Sequence, residues 1–135
     1  MIVVDTNLIA YFFIKGRFSE LAEQVFAKDP EWTAPLLWRS ELRSVLAKCV
    51  GKGFLQLEDA VEIAGAAETM MAGREYAVSS PEVLRLAASS PCSAYDAEFV
   101  ALAKDLGIRL VTADAHLIET FPGTAVGPDR FLAGR

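Results

Sequence analysis

The chain opens on Met1-Ile2-Val3-Val4-Asp5-Thr6-Asn7, and this stretch constrains the fold more than any other. Three consecutive aliphatic side chains read as a short strand buried on both faces, as in a parallel sheet. The run stops at a carboxylate followed by two small polar side chains, and a helical pattern begins at Leu8. In an open α/β sheet, ligands bind outside the carboxyl ends of the strands, where helices start. Asp5 stands at that position. An acid there also serves as an N-cap for the next helix, with Thr6 or Asn7 sharing the task. Both readings hold for Asp5 alone; acids at equivalent places elsewhere decide between them.

Residues 8–15 predict a short helix that is apolar almost all round, and such a helix must be buried in the core or against a partner. Gly16 and Arg17 break the pattern, and Ser19 is a plausible N-cap for a second helix over 20–28. Trp32-Thr33-Ala34 predicts a second strand. A third helix over 37–50 carries its core stripe on Trp38, Leu42, Val45 and Cys49. Glu41 lies at the edge of that stripe, where a charged side chain must reach water or be paired or bound. A fourth helix is expected over 57–72 and a strand over 75–78. Ser80-Pro81-Glu82 starts a further helix, with a hydroxyl cap and then proline at the first helical position.

Ser93 opens the most regular helix of the chain, with Tyr95, Phe99, Leu102, Ala103 and Leu106 on one stripe and Gly107 as its stop. Ser93 and Asp96 have the spacing of a capping box. That role alone accounts for Asp96, although its place at a helix mouth leaves the carboxylate room to face a cleft. The strand expected over 108–112 ends in Thr112-Ala113-Asp114, repeating the opening pattern of apolar strand, hydroxyl residue and acid. A short helix over 115–120 and a weak strand over 124–126 follow. Alternating strands and helices predict a single α/β domain over 1–135, with a central parallel sheet of four to five short strands and helices on both faces.

Asp5, Glu41, Asp96 and Asp114 therefore form a candidate constellation at element ends. Carboxylates gathered in one cleft repel one another, and a hard divalent cation among them offsets that cost. Oxygen-only ligands suit Mg²⁺ or Mn²⁺, whereas His and Cys favour zinc. The lone His116 reads as a surface or loop residue, and Cys49 and Cys92 as small apolar fillers in a reducing compartment.

The chain has 135 residues, 53% of them hydrophobic, with a formal net charge of −5. This composition rules out disorder. No apolar run approaches the ~20 residues needed to span a bilayer, and no basic leader precedes Met1, so a cytoplasmic location without membrane attachment is expected. The acidic balance speaks against nucleic acid, yet with four acids committed to cations the remainder is close to neutral. Arg39, Arg43, Lys48 and Lys15 are candidates for phosphate contact. Arg39 and Arg43 each lie two residues from Glu41 and share no helical face with it, so at most one is expected near a scissile phosphate.

The ordered set Asp5-Thr6-Asn7, Glu41, Tyr95-Asp96-Ala97 and Thr112-Ala113-Asp114 resembles the signature of PIN-domain ribonucleases. Within that family it is most similar to the VapC-type toxins of toxin–antitoxin pairs. The resemblance covers the whole chain in length and in the order of its elements. It implies that the four acids hold one or two Mg²⁺ or Mn²⁺ ions and that the protein cuts single-stranded regions of RNA. Asp5 and Asp96 would ligate directly, and Glu41 and Asp114 directly or through water. Thr6, Asn7, Thr112 and, more weakly, Ser93 would orient carboxylates or waters; losing such a partner typically costs ~10–100-fold. The resemblance also implies a homodimer and a small antitoxin partner, for which Phe12, Phe13 and Phe26 suggest an apolar surface. No motif specifies the RNA target.

Rivals from other classes have distinct marks. A phosphatase forming an aspartyl-phosphate would want a second acid at position 7, where Asn7 stands. A receiver-like domain would carry paired acids after its first strand and a late lysine where this chain has Thr112-Ala113-Asp114. An acid-pocket binding domain without catalysis would bind the ion and cleave nothing.

Overall fold

The aliphatic run at the start of the chain forms the centre of the sheet. In the computed structural model, which describes residues 1–134, Ile2–Val4 is strand β1, and each of its residues is buried. Four further strands, β2 (Trp32–Pro35), β3 (Glu75–Tyr76), β4 (Leu110–Val111) and β5 (Ala125–Val126), join it in the order β3-β2-β1-β4-β5. Every pairing is parallel. The expected fold class is thus observed: an α/β fold with a five-stranded parallel sheet.

Eight helices connect the strands among the described residues: α1 (Thr6–Phe13), α2 (Ser19–Lys28), α3 (Trp38–Gly51), α4 (Leu57–Met71), α5 (Ser80–Ser89), α6 (Ala94–Leu106), α7 (Ala115–Thr120) and α8 (Pro128–Leu132). They sort by contact into two sets. Helix α1 touches α2, α3 and α4, α3 packs on α4, and α2 packs on α8, while α6 packs on α5 and against β1, β2 and β4. Right-handed crossovers, the general rule between parallel strands, predict such a division. The chain runs from β1 to β3 toward one edge, then crosses back over the other face to reach β4.

Several boundaries differ from expectation for local reasons. Helix α1 starts at Thr6, not Leu8, because the Asp5 carboxylate caps it by accepting the Asn7 N–H at 2.9 Å. Ser19 does not cap α2. Its hydroxyl instead accepts the Gly16 N–H at 2.8 Å and donates to the Ile14 carbonyl at 3.1 Å, closing the turn and leaving Phe18 at the cap. Helix α5 is capped by Ser79 instead of Ser80. Helix α6 ends where expected, at Gly107 with φ +67°. Helix α8 was not foreseen; its five residues are too few to display a period.

The apolar surplus of α1 and α2 goes in part to the core. Phe12, Phe26 and Trp32 form an aromatic cluster with ring centroids 5.0–5.5 Å apart, and Phe13 joins it edge-on to Phe12. Phe12, Phe13 and Phe26 are each partly buried and pack against the core, so the core takes up part of the apolar surface expected of them. The exposed large apolar side chains lie elsewhere, chiefly Phe54, Leu57 and Val61 around the start of α4, with Leu84 and Tyr95 on α5 and α6.

One polar network ties α3 to the sheet edge. Trp38 is fully buried, and its indole N–H donates to Glu75 Oε1 at 2.6 Å. Arg39 forks onto both oxygens of the same carboxylate, at 2.6 and 2.9 Å, and reaches Glu68 at 3.2 Å. These hydrogen bonds from Arg39 hold the Glu75 carboxyl below the usual glutamate range. A carboxyl shifted down contributes stability above its ordinary pKa, and that contribution is lost as pH falls through the lower folded value. Glu75→Ala strands the buried Trp38 N–H, a loss of about 1–3 kcal/mol expected as a lower urea midpoint. Glu75→Gln keeps an acceptor and should lose less.

Candidate active site

Strands β1 and β4 are neighbours, with Val3 opposite Leu110 and Val4 opposite Val111, so Asp5 and Thr112 leave the sheet side by side. This is the switch point of the sheet, because the connections run to one side of β1 up to β3 and then return to its other side. Crevices at such points are where open α/β sheets take ligands. A cleft of about 260 Å³ lies there.

All four acids line it. Asp5 comes from the end of β1, Glu41 from α3, Asp96 from the first turn of α6, and Asp114 from the start of α7. Val45, Phe99, Leu110 and Leu117 supply the apolar part of the wall. Asp5 Oδ1 accepts the Asn7 N–H, and Oδ2 accepts the Thr112 hydroxyl. The same Thr112 oxygen accepts the Asp114 N–H at 3.0 Å, so one buried hydroxyl links both strand-end acids. Glu41 Oε1 accepts the Thr6 hydroxyl at 2.7 Å. Asp114 caps α7 through Oδ1, which accepts from the His116 and Leu117 N–H groups. The two readings of these acids are therefore compatible: Asp5 and Asp114 cap helices and face the cleft at once.

Burial pushes the Asp5 carboxyl above its ordinary pKa, against the hydrogen bonds from Thr112 and Asn7 and with added repulsion from Asp114 and Asp96. Burial likewise raises Glu41, opposed by the Thr6 hydroxyl and reinforced by Asp5, Asp96 and Glu98. The cleft thus holds carboxyl groups whose charge is uncompensated by the protein. Lys48 is the one cationic residue of its lining among the described residues.

The donor set fits a hard divalent cation. Every acidic ligand candidate offers oxygen, and each bonded oxygen of Asp5 holds a single donor, leaving it a further lone pair. Among the described residues no three such groups already converge at ligating distance. Mg²⁺ is usually held by one or two carboxylates and keeps several waters, which suits a set of acids spread around a roomy cleft.

The other expected residues divide. Thr6, Asn7 and Lys48 line the cleft. Thr112 lies beneath it, bonded to Asp5. Ser93 accepts the Asp96 N–H at 3.0 Å as the cap of α6, and so fixes the start of that helix without bonding a carboxylate. Lys15 lines an adjoining groove and stands 3.8 Å from Glu23. Arg39 is committed to Glu75 and Glu68, and Arg43 lines a groove between α3 and α4. Neither arginine lines the acid cleft, which is compatible with the expectation of at most one near a scissile phosphate and leaves Lys48 as the candidate cation at its wall. The His116 ring is hydrogen-bonded to the Pro91 carbonyl, joining α7 to the loop before α6.

Two residues escaped sequence reasoning. Ser44 lines the cleft, and Glu98 adds to the repulsion on Glu41. Ser44 was detectable in principle: with Glu41, Val45 and Lys48 it forms an i, i+3, i+4, i+7 stripe on one face of α3. Glu98 carries no such signal, because its approach to Glu41 depends on how α6 meets α3.

Comparison with known proteins accords with this geometry. Ribonuclease VapC3 of Pyrobaculum aerophilum is 30% identical over 124 residues, spanning 90% of this chain and 95% of the relative. The crystal structure of PAE2754 from the same organism superposes with a TM-score of 0.75 at 19% identity, covering 98% of this chain and 93% of that one. The crystal structure of FitAcB from Neisseria gonorrhoeae gives a TM-score of 0.74 at 17% identity, covering 95% and 98%. At such identities these two structures speak to the fold. The sequence profile of the PIN domain matches residues 2–120, and with acids at the switch point of the matching fold, the chain belongs to the PIN-domain family.

Proposed function

We propose that this chain is a metal-dependent endoribonuclease that cleaves single-stranded regions of RNA, acting over residues 1–135 as one PIN-like nuclease domain. The observation that carries the proposal is the convergence of Asp5, Glu41, Asp96 and Asp114, from four separate elements, on one cleft at the switch point of the sheet. The similarity to a named ribonuclease over nine-tenths of the chain supports the choice of RNA.

Mg²⁺ or Mn²⁺ is the proposed cofactor. When bound, such an ion lowers the pKa of a water and stabilises charge on the scissile phosphate and leaving oxygen. Asp5 and Asp96 would hold it directly, with Glu41 and Asp114 ligating directly or through water. Thr112 and Thr6 keep the Asp5 and Glu41 carboxylates oriented through their hydroxyl groups. Lys48 and Ser44 line the wall from which a phosphate is met. Protein stripped of metal with EDTA should leave single-stranded RNA intact, and added Mn²⁺ should restore cleavage. Full cleavage by the stripped protein in excess EDTA would overturn the metal-dependent reading.

We further propose that the protein is the toxin of a toxin–antitoxin pair, cytoplasmic, homodimeric and held by a cognate antitoxin. The support is family membership together with an apolar groove of about 360 Å³ between α3 and α4, rimmed by the exposed Leu57 and Val61. Among the described residues no helix is long and apolar enough to cross a membrane.

A further inference from the structure

A second groove, of about 250 Å³, adjoins the acid cleft and shares Asn7 and Val45 with it. It runs along α1 to the turn before α2, and Lys15, Arg17, Tyr11 and Phe18 line it. Tyr11 lies one helical turn, ~5.4 Å, beyond Asn7. We propose that the Tyr11–Phe18 pair is a stacking site for an unpaired base of the RNA whose backbone occupies the acid cleft, with Arg17 and Lys15 meeting the adjacent phosphates. The proposal rests on the ribonuclease reading and adds to it the residues that hold substrate beside the cut.

Phe18 is difficult to explain otherwise. It occupies the N-cap position of α2, where a small polar side chain is preferred, and supplies no capping bond. It is 41% exposed and stands outside the core cluster, unlike Tyr11, which packs against it. The two rings lie 4.9 Å apart at 37°, and the Arg17 guanidinium sits 5.3 Å over the Phe18 ring. Exposed aromatic rings beside cations are the usual platform for single-stranded nucleic acid, because every base has a π-face and the backbone needs positive charge. A base stacking on Phe18 would take the ring face that Arg17 covers, turning that guanidinium toward the adjacent phosphate. The local charge fits. Lys15 and Arg17 are both exposed, Lys15 has only the loose contact with Glu23, and Arg17 makes no ion pair among the described residues. Behind the rings opens a cavity of about 460 Å³ that Tyr11 and Phe18 also line, so the pair forms a ridge between two spaces.

The test uses the full chain and fluorescein-labelled single-stranded RNA of mixed sequence, with binding read in Ca²⁺, which neutralises the acid cleft, and cleavage read with Mn²⁺. Phe18→Ala should weaken binding about 5- to 100-fold across sequences, and Phe18→Trp should restore it. An abasic nucleotide at one position should weaken binding by the parent by a similar factor and leave Phe18→Ala unaffected, since the two changes delete the same contact. Arg17→Ala should reduce the slope of log affinity against log salt by about 0.7. Unchanged RNA binding by Phe18→Ala, a loss that tryptophan does not restore, or the absence of any sensitive abasic position overturns the stacking site. If the parent cleaves RNA while Phe18→Ala binds like it, the stacking site alone fails. If the parent binds RNA through Phe18 without cleaving it, the ribonuclease reading alone fails. If the parent neither binds nor cleaves, both fail.

Discussion

Asp5→Asn is expected to cut RNA cleavage by more than ~100-fold while raising the melting temperature of the metal-free protein. Losing a group that merely orients a metal ligand typically costs ~10–100-fold, so loss of a ligand carboxylate should cost more. The gain in stability follows from the same residue. Burial and the neighbouring acids hold the Asp5 carboxyl above its ordinary pKa, so at neutral pH its charge opposes folding. Asparagine removes the charge at nearly the same volume. Its amide oxygen can take over the Asn7 N–H, and its NH₂ can donate to the Thr112 hydroxyl oxygen if that hydroxyl turns its proton. The trade of stability against activity is what a strained active site predicts. Thermal scans in EDTA beside cleavage assays with Mn²⁺ read both effects. A variant that is inactive because it no longer folds would refute this account of Asp5.

Mn²⁺ affinity is expected to fall as pH drops through the raised carboxyl values, about tenfold per pH unit for each proton the ion must displace. Two of the proposed ligand carboxyls are held high, Asp5 and Glu41, each chiefly by burial, and Glu98 beside Glu41 is raised by burial as well. When Asp5 and Glu41 are both protonated the loss reaches about 100-fold per unit. The metal-free protein should respond in the opposite direction. A carboxyl with a raised folded pKa contributes stability at low pH, and that stability is lost as pH rises through the folded value. Acidification from neutrality toward the ordinary carboxylate range should therefore raise the melting temperature in EDTA and shrink the rise produced by Mn²⁺. The Glu75–Arg39 contribution lies in a lower window, since Glu75 is shifted down, so it does not mask the effect. A Mn²⁺-induced shift that is independent of pH would show that neither Asp5 nor Glu41 takes part in binding.

The strand ends were the most legible part of the sequence. Ile2-Val3-Val4 before Asp5, and the strand before Thr112-Ala113-Asp114, combine an apolar run with a polar stop, and both signals are local. Glu41 was legible through its place beside the Trp38–Leu42–Val45 stripe. Asp96 was visible as a helix cap, and only the packing of α6 across β1, β2 and β4 brings it to the same cleft. What the sequence hid was non-local. Arg39 reads as a surface cation until the chain returns 36 residues later to place Glu75 beside it. Phe12 and Phe26 read as surplus apolar surface until Trp32 closes over them. The Phe18 ridge went unseen because a lone aromatic in a turn has no period to betray it.

Cleavage by the double variant Asp5→Asn/Asp96→Asn tests the central claim most directly. Parent and variant are stripped with EDTA, reconstituted with Mn²⁺ and incubated with the same panel of single-stranded RNAs, with circular dichroism confirming that both are folded. The parent should cleave at least one RNA and only with metal, while the folded variant should cleave none. Cleavage by the double variant at the parent's rate would contradict a metal-dependent nuclease centred on these acids.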